Sequence, residues 1–138
     1  MNKGFTLIEL LIVTLLIFCI GTFSMLGLDY INNLKFDVVV DEIYNAFSQA
    51  RSISYAAGCS ASLTYSYSTH SVTIACSGYE TTVIKLPSFV QANLNVSALR
   101  FNGNVSPSNA GTFTMINTLT NRTKSITLRP VSGKITLY

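Results

Sequence analysis

The chain begins with a long apolar run and then changes to an amphipathic pattern. Between Phe5 and Leu28 the sequence reads "FTLIELLIVTLLIFCIGTFSMLGL", in which Glu9 is the only charged residue. A helix of this length extends roughly 36 Å, which is enough to cross a hydrocarbon layer of about 30 Å. The run therefore predicts a membrane-spanning helix that contains one carboxylate.

After Leu28 the apolar positions recur at steps of three and four residues, the period of a helix with one buried face. They are Phe36, Val39, Val40, Ile43, Phe47, Ala50, Ile53 and Ala57. No proline interrupts this segment, and Gly58 is a suitable C-terminal cap. We predict one helix from Phe5 to Ala57, with residues 5–28 in lipid and residues 29–57 packed on a domain.

From Cys59 onward, short alternating runs rich in Ser, Thr, Tyr, Val and Ile predict β-strands. In the first hairpin, a loop of about four residues at 66–69 pairs Leu63 with Val72, Ala61 with Ile74 and Cys59 with Cys76. Further strands are predicted at Thr81–Leu86, Ser97–Phe101, Gly111–Asn117, Lys124–Pro130 and Gly133–Tyr138, with a loop over Asn102–Gly111. The predicted fold class is α+β, a long N-terminal helix on a small antiparallel β-sheet domain of residues 58–138.

Cys59 and Cys76 face each other in this hairpin, which makes them candidates for a disulfide. Such a bond requires a compartment outside the cytoplasm, and the alternative is two separate thiols in the core. Cys19 lies in the apolar run, where a free cysteine acts as a small apolar residue.

The charges are distributed unevenly along the chain. The net charge is +3, but no acidic residue follows Glu80, so the C-terminal part is basic by itself. Arg122, Lys124, Arg129 and Lys134 lie in or near the last predicted strands and are candidate DNA-binding residues, because clustered cations bind phosphates without sequence preference. The alternative is that they are unconnected surface charges.

Few residues in the chain are suited to catalysis. His70 is the only histidine, it falls at the predicted hairpin tip, and we interpret it as an exposed loop residue. Paired carboxylates, a Ser-His-Asp arrangement or a metal cluster would need side chains that this part of the sequence lacks. We therefore expect no enzymatic activity, no catalytic residue, no metal site and no cofactor.

The segment "KGFTLIELLIV", Lys3–Val13, resembles the class III signal of type IV pilins and pseudopilins. The resemblance implies a leader of residues 1–4 that a prepilin peptidase removes after Gly4, followed by N-methylation of Phe5. It also gives Glu9 a role in assembly and implies a pilin-like fold. A secretory signal peptide and a simple membrane anchor are the alternatives, but an anchor gives no reason for Glu9.

Three later segments, "ARSISYAAG", "LRFNGNVSPSNAGTFTM" and "ITLRPVSGKITLY", are similar to the GspH/FimT group of minor pseudopilins, which includes the ComGD-type competence pseudopilins. The last turn departs from that group, because Thr136 stands where a second basic residue is common.

The resemblance implies a minor pilin or pseudopilin of a type IV pilus or competence pseudopilus that assists DNA uptake. Its expected partners are other pilins in a helical filament, the prepilin peptidase, the inner-membrane assembly platform, membrane lipid before assembly, and DNA. The expected location is the plasma (inner) membrane with the C-terminal domain outside the cytoplasm, and then the filament. The alternatives are a minor pseudopilin of a type II protein-secretion system and a major pilin.

Overall fold

The computed structural model describes residues 6–103 and 107–138, except for the side chains of residues 23–26. It contains one long helix, α1 at Leu7–Ala57, followed by antiparallel β-strands. The predicted cleavage residues Gly4 and Phe5 lie outside the described residues. The α+β layout, with its long apolar helix first, is confirmed.

Both ends of α1 follow from local capping. Thr6 is the N-cap and exchanges hydrogen bonds with Glu9 in a capping box, which satisfies backbone N–H groups that have no partner within the helix. At the other end Gly58 has a φ of 66°, a left-handed conformation that glycine adopts without steric strain. The helix therefore ends at Ala57, as the sequence predicts.

The strands form two sheets, where the sequence suggested one. The first sheet has the order β3-β2-β1-β5-β6, and the second has the order β4-β7-β8-β9. The strands are β1 Ser60–Ser66, β2 Ser71–Cys76, β3 Thr82–Lys85, β4 Val90–Leu94, β5 Leu99–Asn102, β6 Pro107–Asn109, β7 Gly111–Asn117, β8 Arg122–Leu128 and β9 Ile135–Leu137.

Two of these strands were not predicted. β4 reads "VQANL", which alternates apolar and polar residues but is short and contains Ala and Asn, two residues that are uncommon in strands, so its pairing with β7 defines it instead. β6 lies inside the predicted loop 102–111 and pairs with β5 through an irregular register. Tertiary pairing thus supplies both strands where local sequence gives a weak signal.

The register of the first hairpin was predicted wrongly by two residues. β1 and β2 pair Ala61 with Cys76, Leu63 with Ile74 and Tyr65 with Val72, and the loop covers residues 67–70. A shift of two residues keeps every side chain on its original face of the sheet. The predicted apolar face is therefore buried, although the individual partners differ.

The core forms where both sheets cover one face of α1. Phe36, Val40, Ile43 and Phe47 are completely buried and recur at helical spacing. Against them lie buried apolar side chains from both sheets, including Leu63, Ile74, Leu99 and Phe101 from the first and Val90, Phe113, Met115 and Ile126 from the second. Burial of an aliphatic or aromatic side chain contributes about 1.5–3 kcal/mol, so this stripe holds the domain on the helix.

The C-terminal end of α1 is attached to the first sheet by covalent and polar contacts. Cys59 and Cys76 form a disulfide with a Cα–Cα distance of 6.3 Å, so the structure brings the two predicted partners together. The hydroxyl of Ser54, which is fully buried, donates to the Cys59 carbonyl at 2.6 Å and accepts from the Gly103 N–H at 3.1 Å. The helix end, β2 and the segment after β5 are thereby joined at one point.

Replacing both disulfide cysteines, Cys59→Ser with Cys76→Ser, is expected to lower the free energy of unfolding of the domain by about 3 kcal/mol. The bond closes a loop with a sequence separation of 17 residues, and opening it gives the unfolded chain more conformational freedom. Denaturant titration of the full chain in detergent micelles measures the change. Cys19→Ser is the matched control, and equal stability of the double variant and this control would contradict the prediction.

Candidate functional site

The first half of α1 exposes its large apolar side chains. Among the described residues from Leu7 to Ile20, these are Leu7, Ile8, Leu10, Leu11, Ile12, Val13, Leu15, Leu16, Ile17, Phe18 and Ile20, with exposed fractions from 46% to 81%. The most apolar 18-residue stretch of the helix has a mean hydropathy of 2.4, and none of its residues is buried. By length and composition this helix is able to cross a membrane.

Glu9 holds its carboxylate at the beginning of this exposed segment. Its Oε2 atom accepts hydrogen bonds from the backbone N–H and the hydroxyl of Thr6, both at 2.9 Å. In return, Thr6 Oγ1 accepts from the Glu9 N–H at 3.3 Å. Both bonds to the carboxylate end on Oε2, and within the described part of the chain Glu9 takes part in no ion pair. Neither bond from Thr6 uses the second carboxylate oxygen, Oε1.

The polar loop between β7 and β8 contacts α1 where the helix enters the domain. Thr120 donates to the Asn33 side chain at 2.7 Å, and the buried Asn117 amide donates to the Asn32 carbonyl at 3.4 Å. These contacts fix the loop near the boundary between the exposed and the packed halves of the helix. Sequence reasoning found no sign of them, because they join positions far apart along the chain.

Two of the four candidate DNA-binding cations pair with the helix. Arg122 Nη1 lies 2.8 Å from Asp37 Oδ2, and Lys124 Nζ lies 2.9 Å from Asp37 Oδ1. Partial burial raises the pKa of Asp37, but the hydrogen bonds and positive charges of Lys124 and Arg122 outweigh it, so the pKa lies below the ordinary carboxyl value. Asp37 thus offsets part of the positive charge that the sequence assigned to a phosphate-binding surface.

The other two cations lie at the opposite end of β8. Arg129 and Lys134 are exposed and flank the turn to β9, where the Arg129 N–H donates to the Lys134 carbonyl at 3.1 Å. The Arg129 guanidinium donates to the Tyr138 hydroxyl at 2.9 Å, and this hydrogen bond lowers the Tyr138 pKa. From Lys124 to Arg129 the strand rises roughly 16 Å, so the four cations form two separate pairs.

An apolar groove continues the exposed helix surface into the domain. It has a volume of about 510 Å³ and is lined by Ile31, Leu34, Lys35, Val38, Val39, Pro87 and Phe89. The helix residues of this lining follow directly on the apolar segment, and Pro87 and Phe89 come from the connection between β3 and β4. The sequence predicted the helix that carries this groove, but of the lining residues it placed only Val39 in an apolar stripe, and it gave no sign of the contribution of Pro87 and Phe89.

His70 is half-buried, which corrects its interpretation as an exposed loop residue. Its Nδ1 atom lies 3.1 Å from the Tyr65 hydroxyl, and its Nε2 atom lies 3.3 Å from the Pro87 carbonyl. The His70 side chain therefore links the first hairpin to the β3–β4 connection through hydrogen bonds. Across residues 6–103 and 107–138, no three His, Cys, Asp or Glu side chains gather in a group that could hold a metal ion.

Together these features define an α+β domain with one long apolar helix, a layout compatible with that of pilins. No protein-family model, curated protein or solved structure matches the chain.

Replacing the helix carboxylate, Asp37→Asn, is expected to lower the free energy of unfolding by about 1 kcal/mol at neutral pH. Because the folded-state pKa is lowered, this stabilisation is present above the ordinary carboxyl pKa of about 3.9 and disappears as the pH falls through the folded-state pKa. When unfolding is measured at decreasing pH, the free energy of unfolding should therefore fall less for the variant than for the wild type. Asp41→Asn, at an exposed position of the same helix, is the control, and identical acid profiles for Asp37→Asn and the wild type would contradict the prediction.

Proposed function

We propose that this chain is a minor pilin or pseudopilin subunit of a type IV pilus or competence pseudopilus and assists DNA uptake. The observation that carries the proposal is the exposed apolar half of α1, which bears one carboxylate and extends from a folded domain. Large apolar side chains without an internal partner need lipid or other helices to cover them. A subunit that moves from membrane to filament meets both environments.

The carboxylate of Glu9 directs assembly. After the leader is removed behind Gly4, the new amine of Phe5 carries a positive charge, and Glu9 of a neighbouring subunit binds it. An unpaired charge in the bilayer costs up to about 3 kcal/mol on insertion scales, the full value applying at the bilayer centre, so pairing favours the assembled state and sets its register. The Thr6 hydrogen bonds support this role, because both end on Oε2 and neither uses Oε1, the oxygen that we assign to the second donor.

The apolar groove at Ile31, Val38 and Phe89 extends the assembly surface. Its helix residues lie on the same helix as the exposed segment, beginning three residues after the apolar run ends at Leu28, so an apolar helix half from a second subunit can cover both at once. Lys35 lies at the groove and keeps its charged end at the edge in water, as long cationic side chains do. The groove thus limits how far along α1 a neighbouring helix can shift.

DNA contact takes place at the turn between β8 and β9. Arg129 and Lys134 are exposed there and adjacent through a backbone hydrogen bond, whereas Arg122 and Lys124 are engaged with Asp37. Adjacent cations bind the phosphate backbone without sequence preference and release counterions. The proposal therefore retains two of the four cations that the sequence suggested and assigns a structural role to the other two.

Replacing the assembly carboxylate, Glu9→Val, is expected to leave membrane insertion intact and to reduce incorporation into sheared filaments by at least about tenfold, since a pairing worth about 3 kcal/mol is lost. Immunoblots of membrane and filament fractions give both quantities. Thr22→Val is the matched control, because Thr22 lies in the same apolar half and bonds its own helix at the Cys19 carbonyl, 2.9 Å away. Normal incorporation of Glu9→Val would exclude the pairing mechanism.

Replacing the turn cations, Arg129→Gln with Lys134→Gln, is expected to weaken binding of duplex DNA and to reduce the slope of log affinity against log salt by about 2. Electrophoretic mobility shifts of the detergent-solubilised chain at several salt concentrations measure this slope. The matched pair Arg122→Gln with Lys124→Gln should leave the slope nearly unchanged and lower stability instead. If the two double variants lose the same amount of DNA affinity, the turn is not the contact site.

A further inference from the structure

The second sheet turns one face away from α1, and this outer face carries polar uncharged side chains. Arg122 and Lys124 reach Asp37 from the inner face of β8, so the alternate positions of the strands point outward. The outer positions within the described strands β4, β7, β8 and β9 carry no charge, and they are Gln91, Asn93, Thr112, Thr114, Ile116, Thr123, Ser125, Thr127 and Thr136.

The strand register arranges these side chains in straight rows. Asn93 pairs with Thr114, and Thr114 pairs with Ser125. Ser125 exchanges two backbone hydrogen bonds with Tyr138, at 3.0 and 2.9 Å, so Tyr138 completes this middle row. From Asn93 to Tyr138 the row crosses the sheet over roughly 14 Å, at about 4.8 Å per strand.

A parallel row of threonines lies beside the middle row. Thr112 pairs with Thr127, and Thr127 pairs with Thr136. The hydroxyls of Thr112 and Thr127 lie 3.1 Å apart, so each holds the other in place. Thr112 and Thr127 thus extend the series of hydroxyl and amide groups of the middle row, whereas the Thr136 hydroxyl oxygen is buried.

Exposed tyrosines mark both ends of the middle row. Tyr67 donates its hydroxyl to Asn93 Oδ1 at 2.9 Å and is 67% exposed. Tyr138, which accepts from Arg129, is 61% exposed. Because each hydroxyl has a partner, the rings are held in position while remaining accessible. At the Asn93 end of the row, β4 and β7 form a depression of about 250 Å³, lined by Gln91, Ala92, Asn93, Thr114 and Ile116.

These groups match the chemistry of an uncharged polysaccharide. The C–H face of a pyranose ring stacks on an aromatic ring, while its hydroxyls bond to Asn, Gln, Ser and Thr, which both donate and accept. The lack of charge in the rows disfavours DNA, whose phosphates would meet cations only at Arg129 and Lys134. A row that extends over roughly 14 Å also fits an extended chain better than a compact sugar.

We propose that the outer face of the β4-β7-β8-β9 sheet binds a neutral β-1,4-linked polysaccharide, which lies along the middle row and stacks on Tyr67 and Tyr138. The binding involves no covalent step. It is independent of the assembly role proposed for α1, because none of its residues belongs to the helix.

The test uses the full chain in lauryldimethylamine oxide, a detergent without sugar, and measures its retention on chitin and on microcrystalline cellulose. Wild-type protein is expected to bind at least one of them, and chitotetraose or cellotetraose should compete. Tyr67→Ala and Tyr138→Ala should each weaken binding by up to about tenfold, as loss of an aromatic contact does. Tyr67→Phe, which keeps the ring but loses the hydrogen bond to Asn93, should bind more strongly than Tyr67→Ala.

Tyr79→Ala is the matched control, since Tyr79 is also an exposed tyrosine, 51% accessible, but lies in the connection between β2 and β3 and not at an end of the middle row. Thermal unfolding of every variant shows that the domain remains folded. The proposal is overturned if wild-type protein binds neither polysaccharide, or if Tyr67→Ala and Tyr79→Ala bind equally. It is also overturned if the tyrosine variants bind single-stranded DNA more weakly than the wild type while their binding to polysaccharide is unchanged.

Discussion

The packing of one helix stripe against two sheets is the interaction on which the rest of the structure depends. Phe36, Val40, Ile43 and Phe47 are fully buried, and Phe47 meets the Phe101 ring at a centroid distance of 5.5 Å. Each sheet has an apolar face that would otherwise contact water, and α1 covers both. The same helix extends beyond the domain and exposes its other half, so a single element both completes the core and creates the surface that other molecules must cover.

The charges reinforce this division of the helix. Asp37 lies where α1 enters the domain and attracts Arg122 and Lys124, which fixes β8 against the helix. Arg122 and Lys124 therefore have a structural role in pairing with Asp37. Arg129 and Lys134, beyond the far end of β8, are exposed and accessible to a ligand. A basic C-terminal sequence therefore becomes a small cationic turn beside a broad uncharged face, and these two surfaces suit different polymers.

Much of the fold was predictable because its signals are local. The helical period, the cap at Gly58 and the strand Gly111–Asn117 depend on residues close in sequence. β4 was missed because "VQANL" is short and contains Ala and Asn, which are uncommon in strands, and β6 was missed because it is short and depends on β5 for pairing. The predicted hairpin register was wrong by two residues. Alternation identifies which face of a strand is buried, but a neighbouring strand that is shifted by two residues buries the same face.

The candidate site likewise has features that the sequence predicts and features that only folding determines. The sequence by itself determined that an apolar run carries Glu9, that two cysteines fall in one hairpin, and that the C-terminal part is basic. Only the tertiary structure decided that Lys124 pairs with Asp37, that Phe89 completes a groove on α1, and that Tyr67 and Tyr138 end the same row. The physical reason is that composition and period act along the chain, whereas ion pairs, grooves and cross-strand rows require residues that only folding brings within contact distance.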